Sequence, residues 1–302
     1  MNPFTSLLIS PAELHHHLSK ALPTLSRIIP VAAGNGAALA SFETRHVPNS
    51  IFFNLDAVKD TTSYYPMMLP SATQFATYMT ERGICKDDIL VIYDTFETGL
   101  RLSPRLAWTC RHFGHRDVHI LDNFPQYVSE GFPVASGALA TSAAAGGSEV
   151  EAGGYPESQE INAGNVVSFE ELKQMIKAQR DGNGAQEFQI LDARPKDLFT
   201  GNTGAGADAS VRLGHMPSAI NVPFASVLGS DKTFLSAEEL RDVFTRAGVR
   251  EGVPAVLTCN TGVTATALDS ALRAAGLRVD TKLYDGSWSE WADRAEDDMV
   301  VS

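Results

Sequence analysis

The chain has 302 residues, 44% of them hydrophobic and 20% charged, the balance of a globular protein long enough for two cores. A formal net charge of -12 argues against a broad nucleic-acid or anionic-membrane surface, and no apolar run reaches the length of a membrane span. Three cysteines, Cys85, Cys110 and Cys259, are too sparse and too odd in number for a disulfide framework, which predicts a reducing compartment. Met1 to Ser10 has no basic segment of the secretory kind and the first arginine is Arg27, so cytoplasm is the expected location, with mitochondria as the alternative although no clear presequence is present.

In chain order, Leu7 to Ser10 reads as a short strand. Ser10-Pro11-Ala12-Glu13 reads as a helix start, with Ser as N-cap, Pro in the first position and Glu in the third. His15-His16-His17 falls inside this helical pattern and is expected to be a solvated helix face, not a metal site. Arg27 to Ala33 is a second strand candidate, followed by a stretch from Thr44 to Asn54 that carries His46 and Pro48. Ser71 to Arg82 is a capped helix that stops at Gly83, Ile89 to Asp94 an apolar strand, Pro104 to Phe113 a helix that stops at Gly114, and Val118 to Leu121 a strand. Short strands alternating with helices call for a parallel sheet covered on both faces. Gly137 to Gly154 is rich in Ala, Gly and Ser without periodicity and reads as a linker.

The second half repeats the first. Ser168 to Ala178 is a helix with a Ser cap and Glu171 in the third position, Phe188 to Leu191 a strand, and Ser236 to Ala247 a helix with Glu239 as capping partner. Leu213 to Pro223, with His215, parallels Arg45 to Ile51, with His46. Lys282 to Tyr284 is the last strand. A repeat longer than a hundred residues implies a duplicated α/β domain: residues 1–135, a linker over 136–160, and residues 161–302, each a parallel sheet with helices on both faces.

The stretch from Ala255 to Ala265 carries the chemistry. Ala255 to Thr258 is a short apolar strand after Pro254, Gly262 permits a sharp loop, and Val263, Ala267, Leu268, Ala271, Leu272 and Ala275 recur at helical spacing. Cys259 is therefore expected at the carboxyl end of a strand, on a loop feeding a helix N-terminus. The inward amides of such a loop and the helix dipole favour a thiolate and would hold a persulfide anion. The alternative is a small buried core residue, the commoner fate of a lone Cys beside an apolar run, and packing is the preferred reading for Cys85 and Cys110.

At this point the chain resembles the two-domain rhodanese superfamily, the thiosulfate and mercaptopyruvate sulfurtransferases. The resemblance rests on the His-x-Pro elements at His46 and His215, on Cys259-Asn260-Thr261-Gly262-Val263-Thr264-Ala265, and on Tyr284-Asp285-Gly286-Ser287-Trp288-Ser289-Glu290-Trp291. Met67 to Pro70 and Pro104 to His115 look like first-domain segments of the mercaptopyruvate branch. The resemblance implies a nucleophilic Cys259 in the second domain and a first domain that has lost its cysteine, with Asp94 in the corresponding place. It implies a cradle completed by Asn260, Gly262, Val263 and Thr264. Thr261 supplies the hydroxyl that a serine supplies in the mercaptopyruvate branch, and the loop has no lysine of the kind that attracts thiosulfate. His46 matches a first-domain histidine assigned as proton relay, or it buttresses the domain interface.

One departure concerns the substrate anion. The family has an Arg immediately before the aromatic residue that follows Asp-x-Arg; here Leu198 precedes Phe199, and no Arg follows until Arg212. Arg212 or Arg194 is then the expected anchor, although Arg194 with Asp192 also reads as a structural ion pair.

The activity so implied moves sulfane sulfur from 3-mercaptopyruvate through Cys259 to a thiol or thioredoxin-like acceptor, with no metal or organic cofactor and no nucleic-acid or membrane partner. Thiosulfate:cyanide sulfur transfer is the alternative. A sulfur-carrier or binding module of low activity is another, favoured by Leu198 and opposed by the intact Cys259 loop. A cysteine phosphatase needs an Arg closing the loop, but Ala265 stands six residues beyond Cys259 and the next Arg is Arg273.

Overall fold

The computed structural model describes residues 2–20, 26–137, 154–157, 163–182, 187–202 and 212–301. Most of the stretch read as a linker, and all of 203–211 before Arg212, lies outside the described residues. The chain divides into two compact units, Met1–Thr61 with Leu69–Ala163, and Thr62–Met68 with Gly164–Ser302. The short excursion at 62–68 differs from the division expected from composition. Tyr65 accounts for it: its hydroxyl donates to Asp293 Oδ2 at 2.7 Å, near the end of the second unit.

The first unit contains β1 (Leu8–Ile9), α1 (Pro11–Ser19), β2 (Ile28–Gly34), α2 (Leu39–Thr44), β3 (Ile51–Asn54), α3 (Ala72–Glu81), β4 (Ile89–Asp94), α4 (Ser103–His112), β5 (Val118–Leu121) and α5 (Phe124–Ser129). The second contains β6 (Val166–Val167), α6 (Phe169–Arg180), β7 (Gln189–Asp192), α7 (Lys196–Thr200), β8 (Ala219–Asn221), α8 (Ala237–Ala247), β9 (Ala255–Thr258), α9 (Ala265–Ala274), β10 (Thr281–Tyr284) and α10 (Ser287–Arg294). Each unit holds a five-stranded parallel sheet, in the orders β1-β5-β4-β2-β3 and β6-β10-β9-β7-β8. These are the same permutation, so the α/β tandem expected from sequence is the fold observed.

Local chemistry explains the elements. β4 and β9 are buried along their whole length, as continuous apolar runs must be in a parallel sheet covered on both faces. Ser71 with Gln74, Ser168 with Glu171 and Ser236 with Glu239 each form a reciprocal capping box at the start of α3, α6 and α8. The first core gathers Phe42, Phe52, Val91, Tyr93 and Phe124; the second gathers Leu172, Ile190, Val256, Tyr284 and Trp291.

The two His-x-Pro elements are structural repeats of one another. His46 stacks on Phe42 at 4.2 Å and shares a 2.8 Å hydrogen bond between Nδ1 and the Phe42 carbonyl. His215 stacks on Phe199 at 3.8 Å with a 2.9 Å bond to the Phe199 carbonyl. Each then turns through a left-handed residue, Asn49 at φ 62° and Ser218 at φ 60°. The expectation of a solvated histidine face on α1 needs correction. Only His16 is exposed; His15 stacks on Phe132 at 4.6 Å and His17 meets Phe4 edge-on at 5.0 Å, because α1 lies on both phenylalanines.

Candidate active site

β9 lies between β7 and β10 in the second sheet, so its carboxyl end opens at the middle of the sheet, where parallel α/β folds place their ligands. Cys259 is the first residue beyond that end and is 2% exposed. The chain turns through Gly262, at φ 74°, and α9 begins at Ala265, two residues later than the apolar spacing suggested. Thr264, the residue before α9, makes no side-chain cap; the N–H groups of Thr266 and Ala267 donate instead to the Val263 and Thr264 carbonyls, both at 3.2 Å.

The loop is held by α10. The Trp288 N–H donates to the Cys259 carbonyl at 2.9 Å, and the Ser289 N–H and Oγ donate to the Asn260 carbonyl at 3.0 and 2.7 Å. The Cys259 N–H donates to Ser287 Oγ at 3.2 Å, which itself donates to the Tyr284 carbonyl at 2.9 Å. In a trans peptide the carbonyl oxygen and the following N–H point in opposite directions. With both carbonyls drawn to α10, the N–H groups of Asn260 and Thr261 face away from it. Neither finds an acceptor among the described residues. The site thus presents a buried thiol followed by the backbone donors of Asn260 and Thr261 on the loop that leads into a ten-residue helix, an arrangement able to hold an anion beside sulfur.

The structure brings Cys259, Asn260, Thr261, Gly262, Val263 and Thr264 together on one loop and places both candidate arginines in supporting positions. Arg194 follows β7, whose Asp192 pairs in register with Thr258. Its guanidinium binds Asp192 at 2.5 Å and the Gly214 carbonyl at 2.9 Å, and lies 4.1 Å above the Trp288 ring. Asp192 and Arg194 are both buried, with side chains 1% and 3% exposed. Arg212 donates to the Ala295 carbonyl at 2.5 Å and to Asp297 at 2.9 Å, while its own carbonyl accepts the Trp288 indole N–H at 2.9 Å. The ion pair expected of Arg194 is present, and the guanidinium groups of both arginines are engaged by protein acceptors. Leu198, where an anchoring arginine was missed, is 37% exposed on α7. His46 lies in the first unit; its bond to a carbonyl, which only accepts, fixes a proton on Nδ1.

The first unit offers an internal comparison. Asp94 ends β4 as Cys259 follows β9. Its buried carboxyl accepts the N–H of Leu102 and of Ser103, both at 2.7 Å, and so caps the start of α4. Burial pushes its pKa up to about 7, against the opposing pull of the Ser103 and Leu102 donors. Of the other thiols, Cys110 is buried in α4 and pushed up to about 12 by burial, and Cys85 lies in the turn before β4 with Arg27 Nη2 donating to its sulfur at 3.4 Å. Sequence reasoning placed the thiol and its loop but missed Ser287, Trp288 and Ser289 as the residues that aim it. The signal was present in the stretch from Tyr284 to Trp291, noted only as a resemblance.

A family model for the rhodanese-like domain matches residues 168–294. The 3-mercaptopyruvate sulfurtransferase of Rattus norvegicus is 34% identical over 266 residues, covering 88% of this chain and 83% of the relative. The thiosulfate sulfurtransferase of Gallus gallus is 33% identical over 267 residues, covering 88% and 84%. The crystal structure of the Tum1 protein from Saccharomyces cerevisiae superposes with a TM-score of 0.81 at 32% identity, covering 98% of each chain.

Proposed function

The chain belongs to the rhodanese family and is a sulfurtransferase of the 3-mercaptopyruvate or thiosulfate kind, and from that premise we propose that Cys259 carries the transferred sulfur, taken from 3-mercaptopyruvate. One observation carries this reading: the carbonyls of Cys259 and Asn260 are tied to α10, which leaves the N–H groups of Asn260 and Thr261 turned the other way.

In the first half-reaction the Cys259 thiolate attacks the sulfur of 3-mercaptopyruvate. A sulfur–sulfur bond forms and the carbon–sulfur bond breaks, its electron pair remaining on the methylene carbon as the enolate of pyruvate. That carbon takes up the proton of the substrate thiol, with the Thr261 hydroxyl as the relay, and pyruvate leaves. Cys259 is left as a persulfide anion held by the loop N–H donors of Asn260 and Thr261. In the second half-reaction an acceptor thiolate attacks the outer sulfur, a new persulfide departs, and the Cys259 thiolate returns. No electrons are gained or lost overall, so no redox cofactor is required. Burial of Cys259 shields the persulfide from water between the two steps.

The donor preference follows from charge. Thiosulfate is a dianion, and the loop from Cys259 to Ala265 contains no cation to attract it. His46 takes a structural role within its own unit in this reading, because His215 makes the same ring stack and the same carbonyl bond in the other repeat. The first unit carries no sulfur, since a carboxylate occupies the position that a thiol would need. Intact-mass measurement after treatment with 3-mercaptopyruvate is the test. One added sulfur is expected on the native chain and none on Cys259→Ser. Equal loading on Cys85 or Cys110 would refute the assignment.

A further inference from the structure

The geometry points to Ser287 as a positioning residue for sulfur transfer: its hydroxyl, with the N–H groups of Trp288 and Ser289, sets the direction of the loop donors that face the Cys259 sulfur. This inference deepens the proposed role of Cys259 and rests on it.

Four observations converge. Ser287 is held at φ 51°, a backbone conformation that glycine adopts freely and that costs any residue with a Cβ. The side chain is fully buried, so its hydroxyl has to find its partners inside the protein. That hydroxyl has a single proton, which goes to the Tyr284 carbonyl, and its lone pair accepts the Cys259 N–H. The strained conformation also starts α10 so that its first N–H groups reach the carbonyls of Cys259 and Asn260 in succession. The peptide planes on both sides of Asn260 are thereby fixed, and with them the outward N–H groups.

The support extends outward from this point. Arg194, locked by its ion pair with Asp192, lies on the face of Trp288, and the Arg212 carbonyl holds the indole N–H of the same residue. Arg212 in turn binds the Ala295 carbonyl at the far end of α10. α10 is therefore fixed at both ends by residues that sequence reasoning expected to meet substrate, and its N-terminus is committed to the loop. A helix N-terminus usually serves as an anion site in its own right. Here it acts one step removed, on carbonyls, and leaves the donors on the opposite edge of the same peptides for the sulfur.

The test compares Ser287→Gly with the native full-length chain. Glycine accepts φ 51° without strain, so the fold and melting temperature should survive while the hydroxyl is lost. With the loop donors released, kcat for pyruvate formation from 3-mercaptopyruvate should fall about ten- to a hundredfold with KM little changed. The lifetime of the Cys259 persulfide, followed by mass spectrometry after donor removal, should shorten. Native kcat and native persulfide lifetime in Ser287→Gly would overturn the inference, as would a fall in kcat matched by a loss of melting temperature. Should Ser287→Gly fail to fold, Ser289→Ala takes its place. It removes only the hydroxyl bond to the Asn260 carbonyl and should show the same split in smaller measure, and an unaltered kcat and lifetime there would overturn the inference equally. Failure of the proposed function itself would look different, since the native chain would then load no sulfur on Cys259.

Discussion

Asp94→Asn separates two forces that oppose each other at the start of α4. Burial favours the neutral acid, whereas the N–H groups of Leu102 and Ser103 favour the carboxylate. Burial prevails, raising the group from 3.8 to about 7. Over the window between those two values the folded chain holds a proton that the unfolded chain has released. The stability contributed by this group is therefore complete below the lower value and is lost as pH rises through the upper one, at about 1.4 kcal/mol per pH unit within the window. From pH 5 to pH 7 the loss comes to about 2 kcal/mol. Asparagine does not titrate. It keeps one acceptor for the two N–H groups and turns an amide toward the other, at a cost of about 1–3 kcal/mol at every pH. The native chain should thus be the more stable of the two at pH 5, and its advantage should shrink by about 2 kcal/mol at pH 7. Urea unfolding at several pH values, followed by hydrogen exchange in peptides spanning β4 to β5, reads the first unit directly. A gap that stays constant or widens as pH rises would show that the N–H donors outweigh burial and that the physical account of Asp94 is inverted.

Two further outcomes are expected at the site, beside those for Cys259→Ser and Ser287→Gly. Thr261→Ala should reduce kcat for pyruvate release by about a hundredfold or more while Thr261→Ser retains it, because only the hydroxyl relays the proton; steady-state assays that find both variants at native kcat would remove Thr261 from the mechanism. Arg212→Ala should lower the melting temperature by several degrees, since a charge-assisted bond to the Ala295 carbonyl is worth about 1.5–3 kcal/mol, and leave KM unchanged; a KM raised about tenfold at native melting temperature would restore Arg212 as the substrate anchor.

Much of this architecture could be read from local sequence. β4, β5 and β9 fall where continuous apolar runs placed them, and α3, α6 and α8 begin where Ser71, Ser168 and Ser236 announce a capping box. What escaped notice was short or depended on distant partners. β6 has two residues and β8 three, too few for periodicity to register. α7 has five residues and begins without a side-chain cap. α10 starts at a strained serine instead of a conventional N-cap, and what it does for the site is written in hydrogen bonds to Cys259 and Asn260, about thirty positions earlier in the chain. The cysteine itself was legible because a strand, a glycine and a helix pattern bracket it. The assignment of Arg194 and Arg212 to substrate followed charge alone, and charge does not reveal that Gly214 and Ala295 offer carbonyls within reach.

The shared strand order carries a consequence for synthesis on the ribosome. In each unit the first strand to emerge is the last to find a place: Leu8 pairs with Ile120, and Val166 with Leu283. Neither sheet can close its edge until nearly the whole unit has left the exit tunnel. In the interim β4 and β9 have no lateral partner on the side that β5 and β10 will fill, and a bare strand edge is a template for pairing with another chain. Both sheets are parallel throughout, so every pairing waits on a long crossover, the slowest class of contact to form. Chains that stall between β9 and β10 would carry a finished first sheet and an open second one. Such nascent chains, more than the completed protein, are where chaperone dependence and aggregation should concentrate.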